Sequence, residues 1–354
     1  MNLIPDSPEE RPGAEDPTSP DDRTGPDELP VPEPHPFDRV RARGMIGWAA
    51  LGAILGGAAA ALAGGVDSAT TDEPMTLSHP VMVGFMVFVY GWMLLWAWRQ
   101  QRRFGVRLGH FFRGALPPVP PLAGLVGLVL LFSFASFWFS YELMLRLAPG
   151  LAEQMMEGPD LLIMPMRSAA DALQNLAVFL MVVVVAPLVE ELLFRGFLLN
   201  RWGRRWGLRT GIIASSALFA VLHMHWVGLF VFGVVMSLLY VATGSLWAPI
   251  LAHALNNGIA FGLALVGEAE LGLLDPGTLE AVGASGWTAG LMLLISAPLL
   301  WRWLGERWPA AHAPLPWDGP VRQLSRDPVD AIASGRGSDE DTELTEQDRA
   351  HDAS

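Results

Sequence analysis

The chain has 354 residues, is 51% hydrophobic and only 17% charged, and has a mean hydropathy of +0.34. It contains no cysteine, which excludes a disulfide framework and any cysteine nucleophile or metal ligand. The formal charge of −13 is unevenly spread: acid concentrates in both tails, all 23 basic residues are Arg, and no basic face suggests nucleic acid.

Residues 1–37 are rich in Pro, Asp and Glu and poor in aromatics. Such a segment cannot bury enough apolar surface to offset its ordering entropy, so it reads as a disordered tail. It also lacks the apolar stretch of a signal peptide. Eight apolar runs near bilayer-spanning length follow, at about 44–65, 79–98, 120–141, 172–199, 210–224, 226–243, 245–266 and 286–304. The fifth is short, and its join to the sixth at "HMHW" is tight. Residues 309–354, ending in "GRGSDEDTELTEQDRAHDAS", read as a second disordered acidic tail. The expected fold is therefore all-α, a polytopic membrane protein of about eight transmembrane helices. Its parts are a tail (1–37), three helices with their loops (38–170), a helical core (171–266), a last loop and helix (267–308) and the second tail (309–354).

Arginine sets the orientation. Arg39, Arg41 and Arg43 precede the first run, Arg99 to Arg113 follow the second, Arg201 to Arg209 follow the fourth, and Arg302 and Arg307 close the eighth. Eight spans place all of these on one side, so both termini are expected in the cytoplasm. The absence of Lys and the abundance of Ala, Gly and Pro suggest a GC-rich genome and a bacterial plasma membrane.

Ionisable groups at membrane depth are costly and mark function. Here they are Glu190, Glu191, Arg195, His223, His225 and His253, with the amides Asn256 and Asn257. A helical rise of 1.5 Å puts Glu190 about 16 Å, His223 about 21 Å, His253 about 12 Å and Asn257 about 18 Å from the Arg-rich edge. Glu191 and Arg195 are four apart with the acid first, the favourable order for an ion pair. Glu190 points about 100° away, free for another task. Phe219 and His223 share a face, as do His253 and Asn257. A carboxylate beside an imidazole can hold and deprotonate water, and a second His with an amide can donate to an oxyanion. Alternatively, Glu190, His223 and His253 could ligate a divalent metal, zinc suiting that set, whose bound water attacks. Either route leads to amide hydrolysis inside a membrane.

"EELLFR" (Glu190, Glu191, Arg195), "FAVLH" (Phe219, His223) and "HALNN" (His253, Asn257) resemble, in order, the EExxxR, FxxxH and HxxxN motifs of the CPBP intramembrane proteases. These CAAX proteases and bacteriocin-processing enzymes are also called Abi or type II CAAX prenyl endopeptidases. The resemblance implies a general-base role for Glu190 with His223, an oxyanion site at His253 and Asn257, and supporting roles for Glu191, Arg195 and Phe219. The family is usually filed under metalloproteases, although a metal-free, glutamate-dependent mechanism is also argued for it. The implied substrates are membrane-associated or lipid-modified peptides and proteins. His225 and Asn256 have no motif counterpart and read as capping or packing residues. "GASG" at 283–286 matches the rhomboid serine pattern but is followed by no membrane helix bearing a His, so it reads as a loop. A non-catalytic immunity or scaffold protein and a proton- or metal-coupled transporter are the alternatives; no repeat between halves supports the transporter.

Overall fold

A computed structural model describes residues 35–62, 79–113, 116–150, 163, 166–223, 226–266 and 286–318. Eight long helices carry the structure: α1 (Ala42–Leu62), α2 (His79–Phe104), α3 (Val119–Leu147), α4 (Ala169–Trp206), α5 (Leu208–Leu222), α6 (Trp226–Thr243), α7 (Trp247–Val266) and α8 (Gly286–Arg307). No strand occurs among the described residues. Seven of the eight are long and apolar enough to cross a membrane. The exception, α5, has 15 residues and rises about 22 Å, short of a hydrocarbon core of about 30 Å. The protein is thus an all-α, multi-pass membrane protein. Apolar runs in lipid close all their backbone hydrogen bonds internally as helices.

The helices pack around α4. The α5–α6 hairpin and α7 lie on one side of it and α2, paired with α1, on another. Helix α3 lies against α6 and α7 and is covered by α8. Outer helices expose large apolar side chains to lipid, including Ile54 on α1 and Leu294 on α8, whereas α6 is mostly enclosed. Gly207, at φ +88°, makes the sharp turn from α4 into α5. Gly233 permits close contact inside the hairpin: a Cβ there would lie 2.9 Å from Ser216 Cβ and 3.0 Å from its Cα.

The Arg-bearing helix ends gather at one end of the bundle. Arg204 Nε of α4 pairs with Asp38 Oδ1 ahead of α1 at 3.1 Å. Arg209 Nε of α5 donates to the Pro309 carbonyl beyond α8 at 2.8 Å.

At the expected tail boundaries, Phe37 and Pro309 are both buried. Phe37 is fully buried, its ring meeting those of Phe111, Phe197 and Trp317 at 6.2, 6.2 and 5.1 Å. Residues 309–318 pack onto the same cluster, with the Trp317 N–H donating to Asn200 Oδ1 at 3.3 Å. Two aromatic rings at the ends of otherwise polar segments supply the apolar area that the tails as a whole lack. Residues 1–34 and 319–354 lie outside the described residues, as do His225 and the first three residues of "GASG".

Candidate active site

The site is built on an irregular stretch of α4. Pro187 lies inside this helix, and the turns at Leu180–Val185 and Leu192–Leu199 are wound as π-helix on either side of the Ala186–Glu191 segment. The cause is local. In the wider register the Ala186 N–H bonds Met181 O, so the next carbonyl, Val182, would pair with residue 187, a proline without an N–H. Asn257 Nδ2 of α7 supplies the missing donor, bonding Val182 O at 2.9 Å. Asn257 Oδ1 accepts from Asn256 Nδ2 at 3.2 Å. The second π turn frees further carbonyls, and Asn200 Nδ2 reaches Arg195 O at 3.1 Å and Gly196 O at 2.8 Å.

Glu191 and Arg195 form the expected ion pair, Arg195 Nη1 to Glu191 Oε1 at 2.8 Å, and both are fully buried. The pair is tied to two further helices. Arg195 Nη2 donates to the Gly233 carbonyl of α6 at 3.1 Å, and its guanidinium lies 4.9 Å from the centre of the Phe219 ring of α5. His253 Nδ1 of α7 lies 2.8 Å from the same Glu191 Oε1. One buried carboxylate oxygen therefore joins α4 to α7, and its arginine partner joins α4 to α5 and α6. Opposite charges in contact offset part of the cost of burial, while Glu191 Oε2 and Arg195 Nε find no hydrogen-bond partner among the described residues.

Glu190 faces the other way, as the 100° offset requires. Its Oε1 accepts from the Tyr90 hydroxyl of α2 at 2.7 Å. Its Oε2 lies 3.7 Å from His223 Nε2 and 3.9 Å from His253 Nε2. His223 is where α5 ends, and its Nδ1 lies 2.7 Å from the Phe219 carbonyl. The Phe219 ring packs against both imidazoles, at 4.3 and 6.1 Å between centroids. The His223 side chain is 35% exposed and that of Glu190 12%.

The partners of each Nδ1 assign the tautomers. A carbonyl and a carboxylate can only accept, so Nδ1 carries the proton in both rings. In the neutral rings each Nε2 then presents a lone pair toward Glu190 Oε2. Three acceptors from α4, α5 and α7 thus face one another beside the partly exposed His223, an arrangement that can hold and orient a water by its hydrogens.

The structure brings together Glu190, Glu191, Arg195, Phe219, His223, His253 and Asn257, while Asn256 only touches Asn257. Sequence reasoning missed Tyr90, which lies 100 residues from its partner on a helix with no motif. A tyrosine is scarce in this chain, one of three, but scarcity alone does not connect it to Glu190. A tetrahedral metal site with bonds of about 2.0–2.1 Å would hold its ligand atoms about 3.3 Å apart. The present spacing is wider, and among the described residues no three His, Asp or Glu form a metal-holding group.

Residues 172–259 match the family model described as type II CAAX prenyl endopeptidase Rce1-like. An uncharacterized 24.3 kDa protein of Escherichia coli is 34% identical over 93 residues, covering 23% of this chain. The chain spans 43% of the length of that relative. No solved structure matches the chain. The family match begins in α4 and ends in α7, and it encloses all three motifs.

Proposed function

We propose that this chain, whose residues 172–259 match an Rce1-like family model, is an intramembrane endopeptidase that hydrolyses membrane-associated or lipid-modified peptides with a water activated by Glu190. One observation carries the reading: Glu190 Oε2 faces the Nε2 atoms of two histidines whose Nδ1 protons are already committed elsewhere.

The water sits among the three acceptors and donates to Glu190 Oε2 and His223 Nε2. Tyr90 occupies Oε1 and so keeps Oε2 turned to the water. As the water oxygen attacks the peptide carbonyl carbon, its proton passes to Glu190, with His223 sharing the load. The new C–O bond leaves a negative charge on the former carbonyl oxygen. Asn257 has a second N–H on Nδ2, beyond the one given to Val182, with which to stabilise that oxyanion. His253, held through Nδ1 by Glu191 Oε1, lines the same side of the site. The proton held by Glu190 then moves to the amide nitrogen, the C–N bond breaks, and a carboxylic acid and an amine leave. Burial strengthens each of these interactions by excluding water from the surroundings.

The same tautomers favour a second reading in which Glu190, His223 and His253 hold zinc, with each Nδ1 bond acting as the outer-shell brace typical of ligating histidines. It requires the three donors to draw together from their present spacing. Elemental analysis of active, chelator-washed protein beside His253→Ala decides it: about one zinc per chain, lost in the variant, establishes the metalloprotease. A scaffold or immunity role would leave the membrane proteome unchanged by the chain. In the orientation proposed here both termini lie in the cytoplasm of a bacterial cell. The functional test compares protein termini in membranes from cells making the native chain or Glu190→Ala. New termini restricted to the native chain identify the substrates; identical termini in both overturn the proposal.

A further inference from the structure

At the Arg-rich end, away from Glu190, the start of α1 and the end of α2 enclose a cavity of about 670 Å³. Its rim carries Arg39, Arg41, Arg99 and Arg103, and its inner wall is Trp48, Trp96 and Phe104. The one carboxylate on the wall, Asp38, is engaged by Arg204 at 3.1 Å. None of the four rim arginines pairs with a carboxylate among the described residues. The floor is rigid. Trp48 and Trp92 stack at 4.5 Å, and each indole N–H donates to the other's backbone carbonyl at 2.9 Å. Arg99 lies over the Trp48 ring at 5.4 Å, so one guanidinium is held at the junction of the polar rim and the apolar wall.

We propose that this cavity binds the phosphate headgroup of an anionic phospholipid. Four guanidiniums without a carboxylate partner among the described residues suit phosphate oxygens through their forked N–H donors. The volume is that of a ligand pocket. The apolar wall and the neighbouring lipid-facing side chains Ile46, Leu51 and Leu95 continue into the bilayer, where acyl chains can lie. A free anion would use the rim and leave that wall unfilled. Basic pockets between helices on the Arg-rich side of a membrane protein are known to take such headgroups. The bound lipid would fix α1 against α2, and hence the helix that carries Tyr90.

The test uses full-length protein in phosphatidylcholine nanodiscs doped with phosphatidylglycerol, with retained lipid counted by native mass spectrometry. The native chain should keep phosphatidylglycerol in preference to phosphatidylcholine. Arg99→Gln with Arg103→Gln should weaken that retention about 30-fold, from roughly a fivefold attraction per arginine. Arg201→Gln with Arg205→Gln removes the same charge from the end of α4, outside the cavity, and should leave retention unchanged. An unchanged unfolding midpoint in both variants shows that neither has lost its fold. Equal losses in the two variants would reduce the effect to a general surface potential and overturn the proposal. So would no preference in the native chain, or displacement of the lipid by millimolar inorganic phosphate, which would make free phosphate the ligand.

Discussion

Glu190 and Glu191 are neighbours in sequence with opposite surroundings, and the difference decides what each substitution does. Glu191 Oε1 receives both Arg195 and His253. Glu191→Gln leaves a buried guanidinium without its counter-charge, which costs about 3–5 kcal/mol. Its unfolding midpoint should therefore fall sharply, and activity with it. Glu190→Gln keeps an acceptor for Tyr90 and removes a charge that has no cationic partner in contact, so its midpoint should stay level while activity disappears. Equal destabilisation by the two would show that the paired glutamate is misassigned. Tyr90→Phe retains the ring and deletes the donor to Oε1. The expected result is a kcat lower by about tenfold, the order of one hydrogen bond to a charged group, with KM and unfolding midpoint unchanged. A native kcat in Tyr90→Phe would reduce the tyrosine to packing. The i,i+4 spacing made the Glu191–Arg195 pair and the separation of Glu190 legible from the chain alone. The Tyr90 bond was not legible, because it depends on how α2 docks on α4.

At the scale of the element, α4 sets the site by departing from regular helix. Apolar length announced the helix itself, since lipid admits few other backbone states. The π turns were hidden: a change of register leaves hydropathy as it was, and Pro187 alone does not say which way the helix will adjust. Asn257 could be placed at the right depth, but its bond to the Val182 carbonyl follows from the proline's missing donor and needed the structure. The α5–α6 hairpin is equally constrained. Gly233→Ala puts a methyl 2.9 Å from Ser216 Cβ, so the two helices must part. Overpacking of this kind costs about 1–3 kcal/mol. Because Gly233 O also receives Arg195, and α5 carries His223, activity should fall further than stability does. Adding Ser216→Gly should restore part of both. A fully active Gly233→Ala would show that the hairpin spacing does not position His223.

For the whole molecule, the contacts of Arg204 with Asp38 and of Arg209 with the Pro309 carbonyl bring the start of α1, the turn between α4 and α5 and the end of α8 to one end of the bundle. With no native cysteine, single cysteines are clean reporters. Met166→Cys, before α4 and exposed, should react with an impermeant thiol reagent in intact cells, and Arg103→Cys should not. Reaction at Arg103→Cys alone would invert the orientation. Composition reads the two tails as poor in core-forming residues. It missed Phe37 and Trp317, since a single ring that docks on a distant cluster leaves no periodic trace.

If Glu190 activates a water for peptide hydrolysis, that water's oxygen ends in the product, where isotopic labelling detects it. Purified protein in proteoliposomes is given a peptide spanning a cleavage site identified from the cellular termini, in water enriched in oxygen-18. The native chain should yield a new C-terminus carrying one labelled oxygen, and Glu190→Gln, folded and with an unchanged unfolding midpoint, should yield none. Cleavage by Glu190→Gln at the native rate would contradict it.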